Sequence, residues 1–189
     1  MPKAFRGINL AKGLTKERLE ETQAMDIRFD TDSKEITYWI DGVQVDGDLT
    51  FAEEGENTIQ LDLTQTGSGS GSAALVGISF PAGADQPGGN FAPGRVFGPR
   101  GTDIPAWPGK RPQIQTYGSY AQSGEFKIQD NNLVPRGHEP VTYSYALWVQ
   151  YPAGSNDPSS YYSSEPKIHN EEPPPPDDEK PPKPHGHHG

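Results

Sequence analysis

The stretch Val141-Thr-Tyr-Ser-Tyr-Ala-Leu-Trp-Val149 decides the fold class of this chain. Its β-branched and aromatic residues alternate, so that Tyr145 and Leu147 point to one side and Trp148 points to the other. A period of two in such residues is typical of a strand with one buried face. A later run, Ser163-Ser-Glu-Pro-Lys-Ile-His-Asn170, predicts a closing edge strand, because proline cannot donate to an interior ladder.

Similar alternation recurs upstream and predicts seven or eight short strands separated by turns. The strongest turn signal is Asp41-Gly42, a pair typical of a two-residue hairpin. We therefore predict an all-β fold, an immunoglobulin-like or jelly-roll antiparallel β-sandwich, over residues 24–170. Its predicted core is one face of each strand: Ile36, Ile40, Ile59, Leu61, Val76, Ile78, Phe126, Ile128, Tyr143, Tyr145, Leu147 and Val149.

Three segments carry no clear strand pattern of their own. Residues 1–23 are predicted to form an extended N-terminal arm, the only place where we expect any helix. Residues 81–112 hold seven prolines together with embedded aromatic residues, and we interpret them as an ordered excursion from the sandwich. Residues 171–189 form an acidic, proline-rich tail that ends in histidines and favours an extended polyproline conformation.

Composition excludes several classes of function. The net charge of -10 argues against nucleic acid as the main partner, because phosphate binding needs a basic surface. No apolar run is long enough for a transmembrane helix, and the first residues lack the apolar region of a signal peptide, so we expect a cytoplasmic protein. The chain has no cysteine, which rules out disulfides and thiolate chemistry.

Neither catalysis nor a resident cofactor is predicted. The chain contains no nucleophile elbow, phosphate-binding loop or zinc-protease motif, so we expect no enzyme. His185, His187 and His188 offer imidazoles for a transition metal, although a flexible tail makes a weak site. Acidic residues at 30–35 and 46–48 match no calcium loop, and we interpret them as turn formers.

Two binding functions remain open. The first is a noncatalytic structural or accessory subunit that binds other proteins through its ends and the excursion. Its predicted contact residues are apolar groups with little local core around them: Phe5, Leu10, Phe91, Phe97 and Trp107. The alternative is a lectin-like carbohydrate-binding module, whose sugar-stacking residues would be Trp148, Tyr161 and Tyr162.

Three motifs resemble a family of small bacterial β-sandwich proteins, the DP-EP group and the related inclusion-body proteins of the PixA and AidA type. They are Phe126-Lys-Ile128, the aromatic run at 143–149, and the closing segment that begins Glu165-Pro-Lys-Ile168. Members of the family have Asp where this chain has Glu165. The resemblance implies a sandwich fold and a noncatalytic role, and it supplies no catalytic residues.

Overall fold

The computed structural model describes residues 21–51, 55–81, 86–105, 113–164 and 166–170. Within them the chain forms thirteen strands, one single-turn α-helix and two 3-10 turns. The strands are β1 (Thr22–Asp30), β2 (Ile36–Ile40), β3 (Val43–Val45), β4 (Leu49–Phe51), β5 (Gly55–Thr66), β6 (Ala74–Ser79), β7 (Phe97–Gly98), β8 (Ser119–Tyr120), β9 (Phe126–Asn132), β10 (Val141–Ser144), β11 (Ala146–Gln150), β12 (Tyr161–Ser164) and β13 (Lys167–Asn170). The helix α1 is Pro93–Val96, and the 3-10 turns are Gly89–Phe91 and Pro158–Ser160. The all-β prediction is confirmed.

The largest sheet has the strand order β3-β2-β1-β5-β9-β7, and β8 also pairs with β9. The predicted hairpin joins β2 to β3, and its turn residues Asp41 and Gly42 have φ angles of 50° and 77°. Positive φ at both central positions is the conformation that favours Asp-Gly in a tight hairpin. Within this sheet, one strand pair departs from the predicted antiparallel arrangement, since β1 and β5 run parallel. The long connection through β2, β3 and β4 makes this possible, because parallel neighbours cannot be joined by a tight turn.

Two three-stranded sheets have the orders β10-β13-β4 and β12-β11-β6. They are consecutive along the chain, since β10 leads into β11 and β12 leads into β13, and the amide of Tyr145 donates to the Pro166 carbonyl at 3.1 Å between them. The prediction that the closing strand lies at an edge is wrong. β13 pairs with β10 on one side and, in parallel, with β4 on the other. Pro166 precedes β13, so the ladder loses no donor.

One hydrophobic cluster joins residues of all three sheets, and it includes Ile27 and Phe29 from the large sheet with Tyr143 and Leu147 from the smaller ones. Most of the predicted core is buried: Ile36, Ile59, Leu61, Ile78, Phe126, Ile128, Tyr143, Tyr145, Leu147 and Val149. Ile40 is half-buried and packs against the cluster. These burials follow the alternation of the sequence, because each strand turns one face to the core.

The prediction that Val76 faces the core is wrong. Val76 is half-buried, whereas its neighbour Leu75 is a core residue at 4% exposure. The register between β6 and β11 shifts between Trp148 and Val149, so that Val149 pairs with Leu75 and Trp148 with Gly77. An extra residue in one strand exchanges the two faces beyond the bulge, and a strict period of two does not foresee it.

The described part of the excursion, 86–105, packs on the body of the protein. Val96, Phe97 and Ile104 are all buried, and the amides and carbonyls of Ile104 and Ile114 bond to each other. Its helix α1 is a single turn outside the arm where helix was expected. At the other end, β1 begins at Thr22, so the first strand starts inside the predicted arm. No helix in the described part of the chain is long and apolar enough to cross a membrane.

Candidate functional site

A groove opens beside the start of β6, between strand β8 and the loop that follows β7. Its volume is about 410 Å³, which falls within the range of about 300–1,000 Å³ common for small-molecule sites. The side chains that give it chemical character come from distant parts of the sequence: Val76, Arg100, Thr102, Ser119, Tyr120 and Tyr161. The groove is therefore a product of the tertiary structure.

An irregular segment before β8 builds one wall. Tyr117 exchanges backbone hydrogen bonds with Ile78 of β6, at 3.0 and 2.8 Å. Two residues later the chain becomes β8 and pairs with β9 of the large sheet. The segment thus connects β6 of one sheet to β9 of another. The amide of Gly101 donates to the Thr116 carbonyl at 2.8 Å, which places the loop after β7 against the same segment.

Tyr120 is the most informative residue of the groove. Its side chain is held at both ends: the hydroxyl oxygen accepts from the Leu75 amide at 2.8 Å, and the ring stands edge-on to Phe126 at 5.1 Å. Partial burial raises the pKa of this hydroxyl above its usual value. The residue nevertheless stays 49% exposed. An aromatic side chain that is ordered and still exposed to solvent can anchor a ligand, because it loses little conformational freedom on binding.

Close packing of the backbone shapes the floor. Gly118 has a φ of 110°, and a Cβ at this position would overlap the ring of Phe126. A Cβ on Gly101 would come within 2.8 Å of the Gly118 carbonyl oxygen. Glycine is required where the chain takes a positive φ and where two backbone segments approach this closely. The two glycines thus allow the segments that line the groove to pack closely together.

Arg100 and Tyr161 stand on the wall of the groove. The Nη2 atom of Arg100 lies 3.3 Å from Asp103 Oδ2, and its side chain is 64% exposed. Tyr161 follows a loop that Gln150 holds in place, since the side-chain Nε2 of Gln150 donates to the Ser155 carbonyl at 2.7 Å. The groove thus combines two tyrosine rings with hydroxyl and guanidinium donors.

Of the three residues predicted to stack on sugar, only Tyr161 lines the groove. Trp148 is half-buried, and its indole N–H donates to Ser79 Oγ at 2.8 Å. Tyr162 faces the other way and contacts Phe29 at 5.5 Å between ring centroids, because its partner Val149 is a core residue. Sequence reasoning missed Tyr120 and Arg100. A tyrosine in a Gly- and Ser-rich stretch, as at 118–124, was the available signal for the first.

The predicted partner-binding residues lie in different environments, and some of them lie outside the described residues. Phe97 is a core residue at 4% exposure, stacked on Phe80 at 4.6 Å and edge-on to Tyr143 at 4.9 Å, so the prediction that it binds a partner is wrong. Phe80 and Tyr143, which are remote in the sequence, supply the packing that the local sequence lacks. Phe91 is half-buried, and its carbonyl accepts from the Tyr143 hydroxyl at 2.7 Å. Phe5, Leu10 and Trp107 lie outside the described residues, as do His185, His187 and His188.

The acidic turns act as the sequence predicts. Asp30 Oδ1 accepts from the amides of Asp32 and Ser33, at 2.8 and 3.1 Å. Hydrogen bonds from the Ser68 amide and hydroxyl lower the pKa of Asp32. Asp46 Oδ1 accepts from the Asp48 amide at 3.0 Å. Within the described ranges, no group of three or more His, Asp or Glu residues could hold a metal ion.

A buried polar cluster lies at the end of the core where β9 and β13 finish. Asp130 is fully buried, and its Oδ1 accepts from Asn170 Nδ2 at 3.0 Å. Desolvation is the main cause that raises the pKa of Asp130 to about 7. The Asn170 hydrogen bond opposes this shift, and the nearby Glu21 carboxylate adds to it. Asp130 Oδ2 and Asn170 Oδ1 are buried without a hydrogen-bond partner among the described residues. Neither Asp130 nor Asn170 lines the groove.

Comparison of the sequence with protein-family models and with curated proteins gave no match. The resemblance to the inclusion-body proteins therefore stays a prediction.

Proposed function

We propose that this chain is a noncatalytic binding module whose groove holds a saccharide. The observation that carries the proposal is Tyr120, a ring that the fold fixes through Leu75 and Phe126 yet leaves half-exposed. Saccharides present apolar C–H faces that pack on aromatic rings and hydroxyls that exchange hydrogen bonds. A rigid tyrosine with polar neighbours suits both features.

The donors and acceptors around the rings support the same ligand class. The Tyr120 oxygen accepts from a backbone amide, which leaves its proton to donate to a ligand hydroxyl. Thr102 and Ser119 line the groove and are exposed, so their hydroxyls can donate and accept. Such side chains can form hydrogen bonds with sugar hydroxyls that point in different directions.

Binding without cleavage is the mode that the lining residues support. Hydrolysis of a glycosidic bond generally uses a pair of carboxyl groups on either side of the bond. Among the described residues, the groove is lined by no Asp or Glu. We therefore place this chain with the modules that hold a saccharide for another protein or surface.

A glycan array followed by titration calorimetry on the best binder tests the proposal. Tyr120→Ala and Tyr161→Ala should each weaken binding by about tenfold or more, the loss expected when a central aromatic anchor is truncated. Leu133→Ala is the matched control, since Leu133 is 48% exposed but lies outside the groove. Tyr120→Phe keeps the ring but loses the hydroxyl that accepts from the Leu75 amide, so it should weaken binding less than Tyr120→Ala does. The melting temperature of each variant checks that a loss of binding is not a loss of folding. Absence of saccharide binding, or binding that Tyr120→Ala leaves unchanged, would overturn the proposal.

The accessory-subunit function is the second candidate, and one observation favours it. Val43 is 62% exposed on β3, the edge strand of the large sheet in the described part of the chain. An edge strand offers its backbone groups to a further strand from another protein. Val43→Lys should weaken such an association, as measured by co-purification, and leave saccharide binding unchanged.

A further inference from the structure

The groove carries a positive charge, whereas the chain as a whole is negatively charged. The protein carries a net charge of -10, yet Arg100 is the one charged side chain that lines the groove in the described part of the structure. A neutral ligand would gain no ion pair from a guanidinium at this place. A ligand with its own negative charge would gain a partner that the rest of the acidic surface cannot provide.

The guanidinium is held in place and still has donors to offer. Asp103 takes one side of it at 3.3 Å, while 64% of the Arg100 side chain stays exposed. Arginine has five N–H donors in a planar fork, and a carboxylate can accept two of them in parallel. An exposed ion pair of this kind contributes little to folding, so the contact with Asp103 mainly orients Arg100.

The neighbours of Arg100 narrow the ligand class. Tyr120 and Tyr161 line the same groove, and their rings suit the apolar face of a pyranose. A uronic acid combines an apolar ring face with a negative charge in one sugar unit, since its carboxylate projects from the edge of the ring. Ring stacking and a guanidinium fork would then bind different parts of the same residue.

We propose that the groove selects saccharides that contain uronic acid units and that Arg100 binds their carboxylate. This inference rests on the proposed saccharide function and names its ligand class. The Arg100 contact supplies selectivity for charge, whereas the tyrosine rings supply affinity for any saccharide that fits.

Calorimetric titration with a short oligogalacturonate, and with its methyl ester as a neutral ligand of nearly the same shape, tests the assignment. The free acid should bind about tenfold or more tightly than the ester, the change expected for one charge-assisted contact. Arg100→Gln should reduce the affinity for the acid to that for the ester, and Arg100→Lys should keep part of the difference. Added salt should weaken binding of the acid much more than binding of the ester.

Arg95→Gln is the matched control, because Arg95 is exposed and lies outside the groove. It should leave both affinities unchanged. Equal binding of acid and ester by the natural protein, or equal losses in the two arginine variants, would overturn the assignment of Arg100. In either case Tyr120→Ala would still weaken binding of both ligands if the groove is a saccharide site. Loss of that effect as well would overturn the proposed function itself.

Discussion

Replacement of Asp130 by Asn should stabilise the protein at neutral and alkaline pH. The Asp130 carboxyl is fully buried, and burial raises its pKa to about 7 from an ordinary value of 3.8. The unfolded chain thus loses this proton near pH 4, while the folded chain keeps it until about pH 7. Stability from this group is therefore fully present below pH 4 and declines as the pH rises to 7.

The magnitude follows from the size of the shift. A difference of about three pKa units corresponds to about 4 kcal/mol in the free energy of unfolding. In the natural protein, a proton on Asp130 Oδ2 would provide a donor for Asn170 Oδ1, and both atoms lack a partner among the described residues. An asparagine at 130 places an N–H there at every pH. Asp130→Asn should match the natural protein at pH 4 and exceed its stability by up to about 4 kcal/mol at pH 8.

Urea unfolding followed by tryptophan fluorescence between pH 4 and 8 measures this difference. Asp62→Asn is the matched control, because it removes a carboxylate that is exposed on β5, and its difference from the natural protein should change little with pH. Lower stability of Asp130→Asn than of the natural protein at pH 8 would contradict this prediction. An equal gain at both ends of the pH range would also contradict it, because protonation of Asp130 would then play no part.

Three further predictions concern the core, the ends and the floor of the groove. Leu147→Ala should cost about 2–5 kcal/mol in urea unfolding, since Leu147 is fully buried, whereas Val43→Ala should cost almost nothing. Deletion of residues 1–20 should leave the melting temperature nearly unchanged but weaken partner association; a sharp fall in melting with intact association would assign the arm to the fold. Gly118→Ala should destabilise the protein by more than about 1 kcal/mol and abolish saccharide binding. Gly124→Ala also requires a positive φ but meets no neighbour within 4 Å, so it should cost less and leave binding intact.

Local pattern was enough to predict much of the fold. The alternation at 141–149 places Tyr143, Tyr145 and Leu147 in the core, and Asp41-Gly42 forms the expected hairpin turn. Both are properties of a few adjacent residues, because the direction of a side chain on a strand and the sign of a turn φ are set locally. The same rule failed at Val76, where the register shift against β11 exchanged the faces of β6. A bulge depends on the partner strand, which local sequence does not identify.

Short windows of sequence are enough to show that the body is all-β, where most strands lie and which of their faces are buried, since these properties follow from periodicity and turn chemistry. The tertiary structure fixes the strand order, the burial of Phe97 and the place of β13 between two neighbours. It also decided the groove, where Arg100, Tyr120 and Tyr161 meet, and the burial that raises the pKa of Asp130. The physical reason is the same in each case. These features form between segments that are far apart along the chain. Their positions depend on strand register and packing, which cannot be predicted from a short window of sequence.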